Sequence, residues 1–275
     1  MNDAVPQWSP PEIDPTVPST ARVYDALLGG RDNFKVDREA AEIFANRIPQ
    51  AREAARLNRS ALIRGVRYMV RRGGIDQILD IGCGLPTAQN THEAAQEINP
   101  NARVVYVDND PMVLSHGRAL LADNRTTTVV TADLRERGRI LDHPDVRRHL
   151  DFDRPIGLVI VGMIMQISDH ESPDDIIAEL MKPLASGSHL FLTAWPDTGH
   201  PAQRGLSQAC LETLGNGWIR PIERLERHFQ GMPMVPPGLE YVSRWYPEEP
   251  DREVPAVEDF EPYERTQMAG IAVKP

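Results

Sequence analysis

Residues 79–90 read LDIGCGLPTAQN: a short apolar run, an acid at Asp80, two glycines one residue apart, and then Leu85-Pro86-Thr87 where a dinucleotide-binding loop closes on a third glycine. Gly82 and Gly84 permit positive φ and carry no side chain, which suits backbone that must come close to a ligand. The helix expected after the loop turns its amide-rich N-terminus to the same place. A pyrophosphate dinucleotide also wants a third small residue, so that strand and helix pack tightly. None stands at the expected position, and Asp80 sets a negative charge beside the site.

On either side of this loop, apolar runs rich in β-branched residues alternate with helical lengths. The runs are QILDIG (77–82), ARVVYVDND (102–110), TTTVVTADL (126–134), PIGLVIVGMIM (155–165) and GSHLFLTAW (187–195). Between them, 91–99, 111–123, 136–150 and 173–186 carry the period of amphipathic helices. A parallel crossover needs about a dozen residues, so the alternation predicts an α/β fold with a mainly parallel sheet and helices on both faces. Such a sheet binds ligands at the carboxyl ends of its strands.

Upstream, residues 1–18 hold five prolines and predict an extended arm. Three helices follow, over 19–30 with Gly29-Gly30 as the stop, over 31–49, and over 52–74, where Ala55, Leu62, Val66, Met69 and Val70 fall at helical spacing. Past Trp195, residues 210–230 predict helical pieces, 250–266 an acidic, proline-dotted loop, and 238–250 and 267–275 two late strands. The expected organisation is an arm (1–18) and one domain (19–275). Within that domain, 19–74 form a helical cap or lid, 75–195 the cofactor-binding core, and 196–275 the C-terminal strands and acceptor-side elements.

The chain has 275 residues, 41% of them hydrophobic, enough for a substantial core; 30 basic against 40 acidic residues give a net charge of -10, which disfavours a nucleic-acid partner. The arginines between Arg52 and Arg72 read as a solvated helix face. Cys83 and Cys210 stand alone, without the spacing of a disulfide framework or a zinc site, and no clustered His and carboxylate set predicts a metal. No apolar run is long enough to span a membrane, and the proline-rich start is unlike a signal segment, so a cytoplasmic protein is expected. A homodimer stays open.

The acid beside the glycines discriminates among ligands. A carboxylate repels a pyrophosphate, whereas a ligand with a sulfonium and an ammonium group is attracted. S-adenosyl-L-methionine is such a ligand. Its ribose hydroxyls suit Asp108, which ends the second run about 26 residues beyond Gly82, and Asp133 ends the third run near where the adenine amino group would lie. A nicotinamide-dependent oxidoreductase would use the same sheet but prefer the missing glycine. A noncatalytic S-adenosylmethionine-binding regulatory protein would keep the cofactor site and lack acceptor chemistry.

In order, LDIGCG, VYVDNDP, TADL, GLVIVGMIM and LMKPLASGSHLFL resemble the class I S-adenosylmethionine-dependent methyltransferases. With ARVYDALLGGRDNFKVDREAA, DIGCGLPTAQNTHEAAQ, VVYVDNDPMVLSHGRALL and GLEYVSRWYP, the chain from Ser19 onward resembles an actinobacterial S-adenosyl methyltransferase family, formerly a domain of unknown function. The resemblance implies a Rossmann-like fold with a seven-stranded, mainly parallel sheet and a helical N-terminal cap. It also implies S-adenosyl-L-methionine as cofactor and an actinobacterial setting of specialised metabolism; the expected reaction is methyl transfer to a small-molecule acceptor with release of S-adenosyl-L-homocysteine.

The expected cofactor residues follow. Gly82 and Gly84 give close approach, with Leu85 and Pro86 completing the loop, and Asp80 faces the methionine amino group. Asn90 and Thr87 either reach the methionine carboxylate or cap the next helix. Asp108 takes the ribose, Asn109 and Asp110 the adenine side, unless Asp110 caps a helix, and Asp133 and Leu134 flank the adenine, unless Leu134 is core. Met163 and Gln166 face the transferred methyl. Arg22, Tyr24, Asn33 and Phe34 close over the site from the cap, with Arg22 or Arg31 turned to the carboxylate. The candidate general base is His170, with Tyr24 behind it.

Overall fold

The computed structural model describes residues 13–48, 50–86, 89–121 and 124–275, so Thr87 and the first part of the proline-rich arm lie outside the described residues. Its centre is a seven-stranded sheet: β1 Gln77–Ile81, β2 Arg103–Asp108, β3 Thr127–Thr131, β4 Gly157–Ile160, β5 His189–Ala194, β6 Glu240–Tyr241 and β7 Met268–Val273. The order is β3-β2-β1-β4-β5-β7-β6, parallel from β3 to β5, with β7 antiparallel to both β5 and β6. The winding reverses between β1 and β4, which opens a crevice at their carboxyl ends.

Strand alternation divides the core into two layers. Leu79, Ile81, Val105, Val107, Leu158 and Ile160 face one side, against α6 (Arg137–Leu141), α7 (Pro144–His149) and α8 (Pro173–Met181). Ile78, Val104, Tyr106 and Val159 face the other, against α3 (Ala51–Arg71), α4 (Thr91–Gln96) and α5 (Pro111–Leu120). A third cluster joins α1 (Thr20–Leu28), α2 (Lys35–Arg47), the start of α3 and α9 (Pro201–Leu214) through Val23, Leu27, Phe44, Ile48 and Leu206. Ser19 caps α1 by accepting the Arg22 amide, and Gly29 ends it at φ 84°.

The fold class matches the expectation, and the departures have local causes. The expected run 155–165 is a strand only to Ile160, because Gly162 turns the chain at φ 74° and Ile164–Gln166 form a 3-10 turn. The helix expected over 136–150 is two, parted where His143 caps the second and Pro144 takes its first position. Helix α9 starts at Pro201, capped by His200, nearer the sheet than the pieces expected from 210, and α10 is Ile222–Arg227.

The late strand expected over 238–250 pairs only at Glu240 and Tyr241. Beyond them the chain leaves the sheet edge because Trp245 is drawn inward. It is fully buried and stacks on Phe191 with centroids 5.2 Å apart and planes at 7°, while Arg64 donates to the Val242 and Trp245 carbonyls. Gly65 of α3 lies against the same ring, where an added Cβ would come within 2.3 Å of Phe191. Phe191 is fully buried and already stacked on Trp245, so shifting it disturbs packed core. Gly65→Ala is therefore expected to destabilise the protein by about 1–3 kcal/mol, read as a lowered denaturation midpoint at unchanged m-value.

Candidate cofactor and acceptor site

At the carboxyl ends of β1, β2 and β4 lies a cleft of about 890 Å³, walled by the G-x-G loop, the β2–α5 turn, the Gly162 turn and the start of α1. Gly82 and Gly84 take φ 75° and 67°. A Cβ on Gly82 would lie 2.1 Å from the Met163 side chain, whereas one on Gly84 would meet nothing within 4 Å. Gly82 therefore makes room for Met163, and Gly84 leaves an open face beside the cleft it lines.

Asp108 ends β2 in the cleft wall. Its carboxylate accepts the Gly84 amide at 2.8 Å and the Asp110 amide at 3.0 Å, so it ties the two loops together. Behind the loop is a recess of about 380 Å³ that shares Cys83 and Gly84 with the cleft and is lined by Asp80, Arg59, Pro86, Asn90 and Thr91 among others. Asp80 is almost fully buried there and accepts the Thr91 hydroxyl at 2.6 Å. Burial pushes both carboxyls up to about 6, against the pull of Thr91 and Arg59 on Asp80 and of the Asp110 and Gly84 amides on Asp108.

Of the residues expected from sequence, the cleft brings together Tyr24, Gly82, Gly84, Asp108, Asn109, Asp110, Met163 and Gln166. Asp80, Pro86 and Asn90 line the recess instead. Asn90 caps α4 and Asp110 caps α5, where its carboxylate accepts the Met112 amide. Leu85 and Leu134 are buried, Leu134 in the core beneath the sheet, and line neither space. Asp133 also stands outside both, holding the Asn109 amide at 2.8 Å and the Arg135 guanidinium.

Several expectations for the cap and the base are corrected. Arg22 does not reach the cleft: its buried guanidinium donates to Asp37 at 2.9 Å and to the Asp14 and Val17 carbonyls, and it lies over the Phe34 ring. Asp37 explains this, because a buried arginine goes to the carboxylate that neutralises it. Asn33 spends its amide on Asp25 and Gly30, and Phe34 starts α2, so neither lines the cleft. Arg31 is exposed. His170 is exposed on the 3-10 turn Asp169–Glu171 and lines neither space, carried outward by the early end of β4. Tyr24 lines the cleft, where burial raises its phenol and its hydroxyl donates to the Ala55 carbonyl at 2.9 Å.

Sequence reading missed Ser19, Thr20, Asn58, Arg135, Gly162 and Asn216 in the cleft and Arg59 in the recess. Asn58 left a signal, a polar residue on the apolar stripe of α3 between Ala54, Ala55, Ala61 and Leu62. There it accepts the Thr193 hydroxyl at 2.9 Å and donates to the Tyr24 oxygen at 3.3 Å, while Thr193 accepts the Gly162 amide at 2.9 Å. Ser19 donates to Asp110 at 2.6 Å and joins α1 to the β2–α5 turn. Arg59 donates to the Gln89 carbonyl and to Asn90, and its buried Nε has no partner among the described residues.

The strand order, the positive-φ glycines and the acid ending β2 define a class I methyltransferase fold. The chain matches the S-adenosyl methyltransferase family model over residues 6–275, and it belongs to that family. It is similar to a protein of Thermobifida fusca YX assigned to the methyltransferases, at 49% identity and TM-score 0.91 over 98% of this chain and 99% of that one. A DUF574 family protein of Streptomyces avermitilis MA-4680 is 31% identical, with TM-score 0.87 over 96% of this chain and all of the other. The likeness to human N-acetylserotonin methyltransferase, at 12% identity and TM-score 0.50 over 94% of this chain and 60% of that one, extends to the fold alone. No curated protein matches.

The residues present fit the cofactor that the family name states. Gly84 gives an open backbone face, Asp108 offers a half-buried carboxylate, and Asp80 adds a second negative charge with no cation bonded to it. A carboxyl that titrates at about 6 is ionised above that pH and protonated below it. Affinity for S-adenosyl-L-homocysteine should thus be full at about pH 7.5 and fall about tenfold towards pH 5. Calorimetric titration across that range checks this, and Asp108→Asn should reduce the pH dependence to the share that Asp80 contributes.

Proposed function

We propose that this chain transfers the methyl group of S-adenosyl-L-methionine to a small-molecule acceptor and releases S-adenosyl-L-homocysteine. The observation that carries the reading is Asp108 bonded to the Gly84 amide at 2.8 Å, in a cleft that shares wall residues with a second cavity. The cofactor supplies a methyl group on positively charged sulfur, which leaves by in-line displacement with the C–S electron pair returning to sulfur. Asp108 holds the ribose hydroxyls, and Asn109 and Arg135 bound the adenine side. Asp80 and Arg59, facing the same recess, take the amino and carboxylate ends of the methionine. Met163 and Gln166 stand at the methyl end, where Gln166 is fixed by its bond to the Gly162 carbonyl at 3.0 Å.

Alignment does most of the work in such a displacement, and positioning alone contributes on the order of 7–11 kcal/mol. The helices over 19–74 act as the cap that excludes water, 75–195 as the cofactor core and 196–275 as the acceptor side. The relatives from Thermobifida and Streptomyces support an actinobacterial setting. The net charge of -10 supports a small acceptor over a nucleic acid. Among the described residues no helix is long and apolar enough to cross a membrane.

Calorimetry with S-adenosyl-L-homocysteine tests the assignment. Asp108→Ala removes a charged acceptor from two hydroxyls and is expected to weaken binding about 100-fold. Arg59→Met is expected to weaken it about tenfold and to leave 5′-methylthioadenosine, which lacks the amino-acid end, unaffected. Unchanged binding in Asp108→Ala would refute the cofactor site.

A further inference from the structure

Beyond the cleft, between α1, α2, α3 and α9, lies the second cavity, of about 710 Å³. The two spaces share Thr20, Tyr24, Asn58, Gly162, Gln166 and Asn216, which form a polar collar between them. Past the collar the wall turns apolar, with Val23, Leu27, Phe44, Ile48, Trp195 and Leu206. Among the described residues that line it there is no Asp, Glu, Lys, Arg or His. An ion entering such a space loses its hydration and meets no countercharge, so a neutral molecule is favoured over a charged one.

One polar group in the wall is incomplete. Gln267, at the foot of β7, is 8% exposed and its Nε2 donates to the Ala54 carbonyl at 3.1 Å. That bond fixes the orientation of the amide, since only its nitrogen can donate. The Oε1 is then left buried with no hydrogen-bond partner among the described residues. Its backbone is pinned as well, because the Gln267 carbonyl accepts the Val242 amide at 3.1 Å. A buried acceptor held rigidly and left unpaired is costly by itself and becomes favourable once a ligand donates to it.

We infer that this cavity receives the methyl acceptor, and that the acceptor is an uncharged, mainly apolar molecule that presents a hydroxyl or N–H group to Gln267 Oε1. The inference rests on the function proposed above and adds the substrate class. The apolar wall selects for ring or chain carbon, the missing countercharge selects against carboxylates and ammonium groups, and the orphaned oxygen selects among neutral molecules for those with a donor. The collar sets the acceptor's reactive end beside Gln166 and Gly162, on the cleft side. A site built around a hydrogen bond rejects the analogue that lacks the donor more strongly than a purely apolar pocket rejects a change of shape.

The test uses the full chain saturated with S-adenosyl-L-homocysteine and three matched probes, titrated by calorimetry: 4-butylphenol, butylbenzene without the donor, and the anion 4-butylbenzoate. The phenol is expected to bind at least about tenfold more tightly than either of the others. Gln267→Met should bring the phenol down to the level of butylbenzene without altering homocysteine-adduct binding. Leu206→Trp, which fills the cavity, should abolish binding of the phenol with the adduct still bound. Benzoate binding as tightly as phenol, no probe binding to a complex that does hold the adduct, or unchanged phenol affinity in Gln267→Met would each overturn the inference. Failure to bind the adduct at all would instead overturn the methyltransferase reading itself.

Discussion

Thr193 is the joint on which the site depends. It is fully buried near the end of β5, accepts the Gly162 amide and donates to Asn58, so one hydroxyl fixes the turn that ends β4 and the face of α3 laid over it. Asn58 passes the constraint to Tyr24, and Tyr24 to the Ala55 carbonyl. The chain of bonds satisfies polar groups that would otherwise be stranded on an apolar helix stripe, each at a cost of about 1–3 kcal/mol. It also places Gly162, Asn58 and Tyr24 in the collar between the two spaces. Packing alone would leave α3 free to slide along the sheet, whereas directional bonds define one position.

Electrostatics selects what can occupy the cleft once its walls are fixed. Asp80 and Asp108 end neighbouring strands, and burial makes ionisation of each costly enough to bring both to about 6. Neither is bonded to an arginine or lysine; their partners are a hydroxyl and backbone amides. Anionic phosphate is disfavoured by this arrangement, and a cationic ligand recovers energy that folding spent. On the proposed reading, the same field favours the sulfonium over the neutral thioether left after transfer, so the charge that draws the cofactor in also loosens the product.

Much of this was legible in the sequence because it is written locally. Parallel strands buried on both faces give continuous apolar runs, and the residues closing those runs fall at the carboxyl edge wherever the sheet forms. Gly82, Gly84, Asp108, Met163 and Gln166 are all of that kind. What was not legible depends on partners remote in sequence. Asn58 meets Thr193 across 135 positions, and Asn216 and Arg59 reach the site only because α9 and α3 pack where they do. The charge of Arg22 was visible but its partner Asp37 was not, and the partner decided where the guanidinium went. The end of β4 hung on a single glycine that an apolar run of ten or so residues hides.

That misreading of Arg22 points to how the cap and the cofactor loops act together. Asp37 holds the Arg22 guanidinium and the Ser19 and Phe34 amides, which sets the entry of α1. Ser19 then hands the constraint to Asp110, whose amide bonds to Asp108. A buried ion pair thus acts on these spaces at second hand, by fixing the helix that carries Thr20 and Tyr24 into both. Ser19 thereby ties the β2–α5 turn to the helix whose Thr20 lines the second cavity. On the proposed function, one short segment then holds the cofactor side and the acceptor side in a fixed relation, because the same two side chains line both spaces.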